Sequence, residues 1–247
     1  MTTLVRPQFH PQLLAQALKR ACALVAVALV TGCATTGPAS KDDPLEPMNR
    51  ALFEVHDAVD TAVLRPAAQA YVDVVPQPLR QGVSNVFNNI NDFFSGINGV
   101  LQGKLDKAGD DFGRVLLNTA FGLGGIFDLA SMVGIERGNE DFGQTFGVWG
   151  FPQGPYLFIP VVGPTTVRDG AGLAVRFVWG PNYYVNEEAL RWSIYGIGYL
   201  DLRSEALDAS KVVDTAALDR YTFIRNAYLQ RRRYLVYDGK PPPEPEE

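Results

Sequence analysis

Cysteine and histidine are scarce in this 247-residue chain, which has only two of each. Two cysteines are too few for a disulfide framework, and so small a set of Cys and His residues argues against a zinc site. Acidic residues outnumber basic ones by 27 to 22, and the formal net charge of −5 argues against a nucleic-acid partner. The sequence therefore predicts a protein with no metal, no cofactor and no bound nucleic acid.

Catalytic motifs are also missing from the chain. It has no G-x-S-x-G elbow, no Walker A loop, no H-E-x-x-H and no C-x-x-C. A Ser–His–Asp triad would have to use His56, which lies among Glu54, Asp57 and Asp60 on a predicted amphipathic helix. A solvated or merely packed histidine is the simpler interpretation of such a position. We therefore expect a protein that is not an enzyme and has no catalytic residue.

The first 32 residues have the pattern of a lipoprotein signal peptide. Arg6, Lys19 and Arg20 precede an eleven-residue apolar run, ACALVAVALVT, which ends directly before Gly32 and Cys33. A membrane-spanning helix needs about 20 apolar residues, so this run favours a secretory signal. A small residue before a cysteine suits cleavage by a lipoprotein signal peptidase, which predicts lipidation of Cys33. The alternative is an ordinary secretory leader with a chance cysteine.

Removal of residues 1–32 changes the composition. It leaves 19 basic and 27 acidic residues, a net charge of −8, and His56 as the remaining histidine. A thiol acylated at Cys33 is no longer free, which excludes a thiol enzyme, and acyl chains anchor a protein with about 0.8 kcal/mol per buried CH₂. Ala34 stands where an aspartate would favour retention at the inner membrane. We therefore expect the outer membrane as the location.

Composition divides the mature chain into three parts. Residues 33–42 are mostly small and polar, which indicates a flexible lipidated tether. Residues 43–238 show helical periodicity and form the predicted folded domain. Residues 239–247 include the sequence PPPEPEE, which is typical of a disordered acidic tail.

One predicted helix, residues 82–101, has an apolar stripe and an unusual opposite face. That face is rich in asparagine and serine and carries a single charge, at Asp92, where a water-facing helix normally shows several. Two interpretations stay open. The helix is a core helix whose polar face packs on other helices, or it lies at a membrane interface and its polar face lines a path for lipid head groups.

Glycine and proline mark the other helix boundaries. A helix over residues 104–121 stops at Gly122, Leu123, Gly124 and Gly125, and the apolar pattern resumes over residues 126–133, which predicts a helical hairpin with three glycines at its tip. An early helix opens near Pro44 and Pro47, and Pro66, Pro76 and Pro78 are expected to divide the chain into short helical pieces. Two further helices are predicted near residues 186–207 and 215–237.

Residues 142–167 contain no charge in 26 positions. Four prolines and five glycines exclude a spanning helix. This irregular segment is either a buried core loop or a segment in or just under the lipid surface, and the predicted anchor favours the second.

A series of short motifs runs from Asp43 to Arg231. It comprises Asp43-Pro44-Leu45-Glu46, Asn49-Arg50, Leu64-Arg65-Pro66, Pro76-x-Pro78-x-Arg80, Leu101-Gln102-Gly103, Arg114, Asn118-Thr119, Gly122-x-Gly124-Gly125-x-x-Asp128, Phe142-Gly143-Gln144-Thr145, Gly154-Pro155-Tyr156, Arg168-Asp169, Tyr221, Arg225, Ala227-Tyr228 and Gln230-Arg231. In these motifs the chain resembles the MlaA (VacJ) family of outer-membrane lipoproteins. The leader, the tether and the acidic tail lie outside the resemblance.

The resemblance implies an all-α fold, a compact ring-like bundle of amphipathic helices embedded in the inner leaflet of the outer membrane. It implies a passive amphipathic channel that removes mislocalised phospholipids from the outer leaflet and hands them to a soluble periplasmic phospholipid carrier, with a trimeric porin as a further partner. In such a channel the candidate lining residues are Asn85, Asn88, Asn91, Asp92 and Ser95, and the candidate gate hinge consists of Gly122, Gly124 and Gly125. The alternative function is a structural lipoprotein that tethers a porin and stabilises the envelope without transporting lipid.

Overall fold

Helices make up most of the backbone in the computed structural model, which describes residues 43–243. The all-α prediction is confirmed, with one two-stranded sheet as the exception. The predicted signal peptide, Cys33, the tether and the last four residues of the tail lie outside the described residues. Within the described part of the chain, each helix is too short or too polar to cross a bilayer.

Ten α-helices and two strands follow one another along these residues. They are α1 (Glu46–Val59), α2 (Arg65–Val74), α3 (Gln77–Leu101), α4 (Leu105–Ala120), α5 (Leu129–Met132), α6 (Phe142–Val148), β1 (Tyr156–Ile159), β2 (Gly163–Thr166), α7 (Val167–Trp179), α8 (Glu188–Glu205), α9 (Leu207–Ala216) and α10 (Arg220–Val236). A π-helical turn, Asp60–Leu64, joins α1 to α2, and a short 3₁₀ turn, Pro181–Tyr184, follows α7.

The prolines near the N-terminus act differently from one another. The prediction that Pro66 breaks the helix is wrong. The π-helical turn Asp60–Leu64 comes directly before it, and the helix continues through Pro66 into α2. A wider turn leaves room for the proline ring and tolerates the hydrogen bond that proline, which has no N–H, cannot make. Val75 is extended, and Pro76 and Pro78 open α3, as expected for a residue before proline and for prolines in a first turn.

The elements close into a circuit of neighbours. Helix α3 packs against α8, and α8 packs against α2. Helix α1, which α2 continues through the π-helical turn, packs against β1. Strand β1 pairs with β2, β2 packs on α7, α7 on α6, and α6 returns to α3. Helix α4 lies against α3, and α10 packs on α6 and β2. This ring-like arrangement encloses the space described in the next subsection.

The charge-free segment, residues 142–167, is more regular than predicted. It contains α6 and an antiparallel hairpin in which Tyr156 of β1 lies opposite Thr166 of β2. Tyr156 and Phe158 join Phe53 and Tyr221 in an aromatic core, whereas Trp149 and Phe151 are exposed. The buried-core interpretation therefore holds for the hairpin, and a position of the exposed part at the lipid surface stays a prediction.

Asn49 attaches the hairpin to the rest of the fold. Its amide nitrogen donates to the backbone oxygen of Tyr156 at 3.0 Å, and its amide oxygen accepts from the backbone N–H of Phe158 at 2.9 Å. The same amide donates to Asp43 at 2.9 Å, and Asp43 also accepts hydrogen bonds from Tyr221 and Arg225 of α10. The beginning of the folded domain is thus fixed to its last helix.

Candidate functional site

Helix α3 buries polar side chains and exposes apolar ones. Asp92 and Asn98 are 0% and 1% exposed, whereas Phe93 and Val100 are 44% and 50% exposed. Helices of water-soluble proteins normally show the reverse arrangement, because apolar surface is stabilised by removal from water. The outward face of α3 is therefore suited to an apolar surrounding, and its inward face to polar partners.

Helix α4 has the same inverted arrangement and supplies those partners. Arg114 is 1% exposed and Leu116, two residues later, is 70% exposed. Arg114 Nε donates to Asp92 Oδ2 at 2.9 Å, and Asp111 accepts a hydrogen bond of 2.5 Å from Ser95 of α3. Polar groups at the α3–α4 interface therefore bond to one another, as buried polar groups must.

Two arginines and two aspartates form the centre of this interface. Arg137 Nε lies 2.6 Å from Asp92 Oδ1, and Arg114 Nη2 lies 2.9 Å from Asp128 Oδ2. Burial alone would raise the pKa of Asp128, but hydrogen bonds from Ser131, Asn118 and Arg114 outweigh it and lower that pKa to about 2. The cluster therefore sets two guanidinium groups against two carboxyl groups, and it fixes the segment around α5 to α3 and α4.

Two cavities lie inside the ring, one on each side of a shared wall. The first has a volume of about 510 Å³ and lies between α3, α7, α10 and the hairpin. The second has a volume of about 410 Å³ and lies between α3, α7 and α8. Both are lined by Asn91, Leu173 and Arg176, so these three side chains stand where the cavities meet. Their walls mix apolar and polar groups, which suits an amphipathic ligand.

The five predicted lining residues are distributed unevenly around this space. Asn91 lines both cavities and Asn88 lines the second. Asp92 and Ser95 belong to the wall of the first cavity, but their side chains are buried and bonded to α4 and its neighbours. Asn85 is not a wall residue of either cavity, and its amide donates to the backbone oxygen of Ile126 at 2.8 Å.

Arg176 is the residue at this site that sequence reasoning missed. Its guanidinium lies 3.8 Å from the centre of the Phe94 ring and donates to Asn91 Oδ1 at 3.2 Å. Among the described residues, no carboxylate forms an ion pair with it, and Tyr195 is the ionisable group that acts on its charge. Burial lowers the pKa of Arg176, although a guanidinium stays charged at neutral pH. A single arginine in an amphipathic helix carries no sequence signal that would have revealed this position.

The glycine turn, residues 122–125, closes the end of α4. Gly124 and Gly125 have positive φ angles of 71° and 96°, which glycine adopts readily. A Cβ on Gly125 would lie 2.9 Å from the side-chain nitrogen of Asn89, whereas one on Gly124 would have open space. The arm that follows the turn contains only the four-residue helix α5, so the predicted helical hairpin has one long and one short arm.

An apolar tip surrounds the glycine turn. It consists of exposed side chains from α4, the turn and α5, namely Leu116, Phe121, Leu123, Met132 and Val133. Several large apolar side chains exposed together mark a contact surface for lipid or protein. The tip continues the outward apolar faces of α3 and α4.

His56 is part of the packing between α1 and the hairpin. Its Nδ1 accepts a hydrogen bond from the backbone N–H of Val161 at 3.1 Å, and its ring packs edge-on against Phe158. Burial lowers the pKa of His56, with Asp60 and Asp57 opposing that effect. A neutral imidazole that accepts this hydrogen bond explains the position without any catalytic role.

The geometry defines a class of protein: an all-α ring with an apolar outer surface and an amphipathic interior. The family model for the MlaA lipoprotein matches residues 41–235 of the chain. The chain belongs to this family, as the sequence motifs predicted.

Curated relatives and a solved structure agree with this assignment. The chain is 32% identical to the intermembrane phospholipid transport system lipoprotein MlaA of Haemophilus influenzae, over 88% of this chain and 90% of that protein. It is also 32% identical to the protein of the same description from Escherichia coli K12, over 87% and 88%. A solved structure from work on the structural basis for maintenance of bacterial outer membrane lipid asymmetry superposes with a TM-score of 0.70 at 31% identity. The match covers 79% of this chain and all of that one.

Proposed function

We propose that this protein is an outer-membrane lipoprotein that forms a passive amphipathic channel for phospholipids. The channel removes mislocalised phospholipids from the outer leaflet of the outer membrane and hands them to a soluble periplasmic phospholipid carrier for retrograde transport. This maintains the lipid asymmetry of that membrane. The proposal is supported by relatives that are named as intermembrane phospholipid transport lipoproteins.

The observation that carries the proposal is the inversion of α3 and α4. Buried Asp92 and Arg114 beside exposed Phe93 and Leu116 give these helices an apolar outside and a polar inside. Such a surface is stabilised when lipid tails replace water around it, because apolar area gains about 25 cal/mol per Å² on leaving water. The ring then sits in the inner leaflet, and the two cavities supply a space for a lipid head group.

The anchor and the domain boundaries belong to the same proposal. Residues 1–32 act as the signal peptide, the acyl chains on Cys33 enter the periplasmic leaflet of the outer membrane, and residues 33–42 connect them to the domain of residues 43–238. Residues 239–247 remain an acidic tail. A trimeric porin holds the ring in the membrane, and the exposed apolar faces offer the surface that such a partner covers.

Transport through such a channel is passive. A conduit with equal access from both ends equilibrates lipid between them and cannot set a direction on its own. Direction therefore comes from the carrier, which removes lipid at the periplasmic end. In this scheme Gly122, Gly124 and Gly125 let the apolar tip move as a gate at the membrane end.

Surface-exposed phospholipid in intact cells tests the proposal. Deletion of the protein is expected to raise the outer-leaflet phospholipid level, and wild type or His56→Ala to restore it, whereas Cys33→Ala fails because the protein loses its acyl anchor to the outer membrane. An unchanged level on deletion would refute lipid transport. If the protein then still co-purifies with a porin, and its loss weakens the envelope, the tethering function is the correct one.

A further inference from the structure

The strongest unexplained feature inside the ring is the guanidinium of Arg176. It stands where the two cavities meet, and its neighbours are an amide, that of Asn91, and the face of Phe94. Two other arginines line the first cavity. Arg232 is paired, since its Nε lies 2.9 Å from Asp169 Oδ2 and its Nη2 donates to Asp141 Oδ1 at 2.9 Å, whereas Arg231 is exposed to solvent. Arg176 therefore holds a positive charge that no described carboxylate neutralises.

We propose that Arg176 binds the phosphodiester group of a phospholipid as it passes between the two cavities. The proposal rests on the proposed lipid-transport function and names the chemical contact that this function uses. It assigns a positively charged phosphate site to a path whose predicted lining residues are mainly uncharged amides and hydroxyls.

The geometry of the guanidinium suits a phosphate. A guanidinium has five N–H donors in a planar fork, and the hydrogen bond to Asn91 uses one of its two terminal nitrogens. Phe94 covers one face of the plane, and a Cβ on Gly180 would lie 2.8 Å from Nη1, so the N–H groups that Asn91 does not use are the donors for phosphate oxygens. The amide oxygen of Asn91 thus orients the fork without neutralising it.

The surroundings of Arg176 favour a lipid over free phosphate. Leu173 and Phe94 line the first cavity, and Leu173 and Phe177 line the second, so apolar surface adjoins the cation on both sides. A phospholipid offers acyl chains to these walls together with its phosphate, whereas inorganic phosphate offers only the charge. Burial of apolar carbon therefore adds affinity that the free ion lacks.

Acidic residues flank the site without covering it. Around the first cavity Glu140 pairs with Lys104 and Lys107, and Asp141 and Asp169 pair with Arg232. Asp201 and Glu205 line the second cavity, and Asp201 accepts hydrogen bonds from Ser84 and Tyr71. Arg176 is the arginine that borders both cavities, and the acidic groups around it keep the walls from becoming strongly positive, which favours brief binding over permanent capture.

Titration calorimetry on the full-length lipidated protein in non-ionic detergent tests the assignment. The probes are dihexanoyl phosphatidylglycerol, dihexanoylglycerol, which lacks the phosphate, and inorganic phosphate. Arg176→Gln is expected to weaken binding of the phospholipid about tenfold, because the variant loses a charge-assisted hydrogen bond at a partly solvated site. Binding of dihexanoylglycerol should stay unchanged, and inorganic phosphate should bind wild type at least about tenfold more weakly than the phospholipid.

Three further variants separate charge from packing. Arg176→Lys keeps the charge and should retain most of the phospholipid affinity. Asn91→Asp keeps the arginine but places a carboxylate within reach of it, so it should weaken phospholipid binding as Arg176→Gln does. Lys240→Gln removes one positive charge from an exposed position outside both cavities and should leave binding unchanged. Circular dichroism checks that each variant is folded.

The assignment is overturned if Arg176→Gln and Asn91→Asp bind the phospholipid as tightly as Lys240→Gln. Equal affinity of wild type for phospholipid and inorganic phosphate would instead make this a free-phosphate site. Failure of the proposed function is distinguishable, because it appears as unchanged surface phospholipid in cells lacking the whole protein. Failure of the Arg176 site alone leaves that deletion phenotype intact.

Discussion

Arg114 and Asp92 form an ion pair, 2.9 Å between Nε and Oδ2, in which both side chains are buried between α3 and α4. Two charges in such a place are stable only as a pair with further partners; here Asp128 and Ser131 accept hydrogen bonds from Arg114, and Arg137 forms a second ion pair with Asp92. The pair joins the two helices whose outer faces are apolar. It therefore replaces the apolar core that these helices would have in a water-soluble protein.

Replacement of Arg114 by methionine should be strongly destabilising. Asp92 would keep only Arg137 as a cationic partner, and loss of one member of a buried ion pair costs about 3–5 kcal/mol. Urea unfolding followed by circular dichroism measures the change. The matched control is Lys211→Met, which removes an exposed cation paired with Asp208 and should cost less than about 1 kcal/mol. Equal effects of the two variants would show that the buried cluster does not stabilise the fold.

Replacement of Asn49 by leucine should loosen the hairpin. The change leaves the backbone N–H of Phe158 and the backbone oxygen of Tyr156 without their partner, at about 1–3 kcal/mol for each buried group. Hydrogen exchange at the Phe158 amide should accelerate more than exchange within α4. Gln69→Leu, at an exposed position where the side chain donates a hydrogen bond to Asp73, is the control and should leave exchange unchanged. Uniform acceleration across the protein would contradict a local role for Asn49.

Ionised Asp128 should contribute stability that is lost in acid. Its folded-state pKa of about 2 lies below its ordinary value of 3.8, so the contribution is complete above pH 4 and disappears as the pH falls from 3.8 towards 2. The free energy of unfolding of wild type and of Asp128→Asn should therefore differ at pH 6 and converge towards pH 2. A difference that stays constant over this range would rule out the lowered pKa. Asp208→Asn, at an exposed position, should differ little from wild type at any pH.

A comparison of alanine variants at Gly124 and Gly134 distinguishes a gating role of the glycine turn from a general effect of backbone strain. Gly124 and Gly134 have φ angles of 71° and 84°, and a Cβ on either one would meet no atom within 4 Å. Gly124→Ala and Gly134→Ala should therefore each destabilise the fold by about 1 kcal/mol. If the glycine turn is a gate, only Gly124→Ala raises surface-exposed phospholipid in cells. Equal phospholipid levels in the two strains would contradict the gate.

The apolar tip should contribute to membrane binding independently of the acyl chains. In a Cys33→Ala background, Phe121→Asp is expected to reduce flotation with phospholipid vesicles several-fold, since a phenylalanine buried in lipid contributes about 1.5–3 kcal/mol. Leu218→Asp changes an exposed residue between α9 and α10 and should have no effect. Equal flotation of both variants would place the membrane contact elsewhere.

Local patterns predicted the long helices, but not which of their faces is buried. The amphipathic stripe of residues 82–101 predicted most of α3. The helix begins earlier, at Gln77, with Pro78 in its first turn. The pattern could not decide what the apolar face meets, because periodicity separates two faces without naming the solvent around them. Phe93 and Asp92 are adjacent in sequence, and only their packing shows that the polar one is inside.

Long-range hydrogen bonds explain the elements that the sequence did not predict. Strand β1 has four residues, and part of its support comes from Asn49, 107 positions away from Tyr156. Helices α7 and α9 were not predicted either, and the position of Arg176 at the meeting point of two cavities depends on how α7 packs. Such contacts have no local signature, because they depend on chain segments that meet only in the folded state.

The attachment of Asp43 to α10 limits how far the folded domain could move from the proposed anchor at Cys33. Ten residue steps separate Cys33 from Asp43, and a fully extended chain covers at most about 35 Å in that number. This reach is close to the thickness of the hydrocarbon core of one bilayer, about 30 Å. If Cys33 is acylated as proposed, so short a connection would hold the domain at a high local concentration beside its own leaflet and still let it rotate until the apolar tip meets lipid.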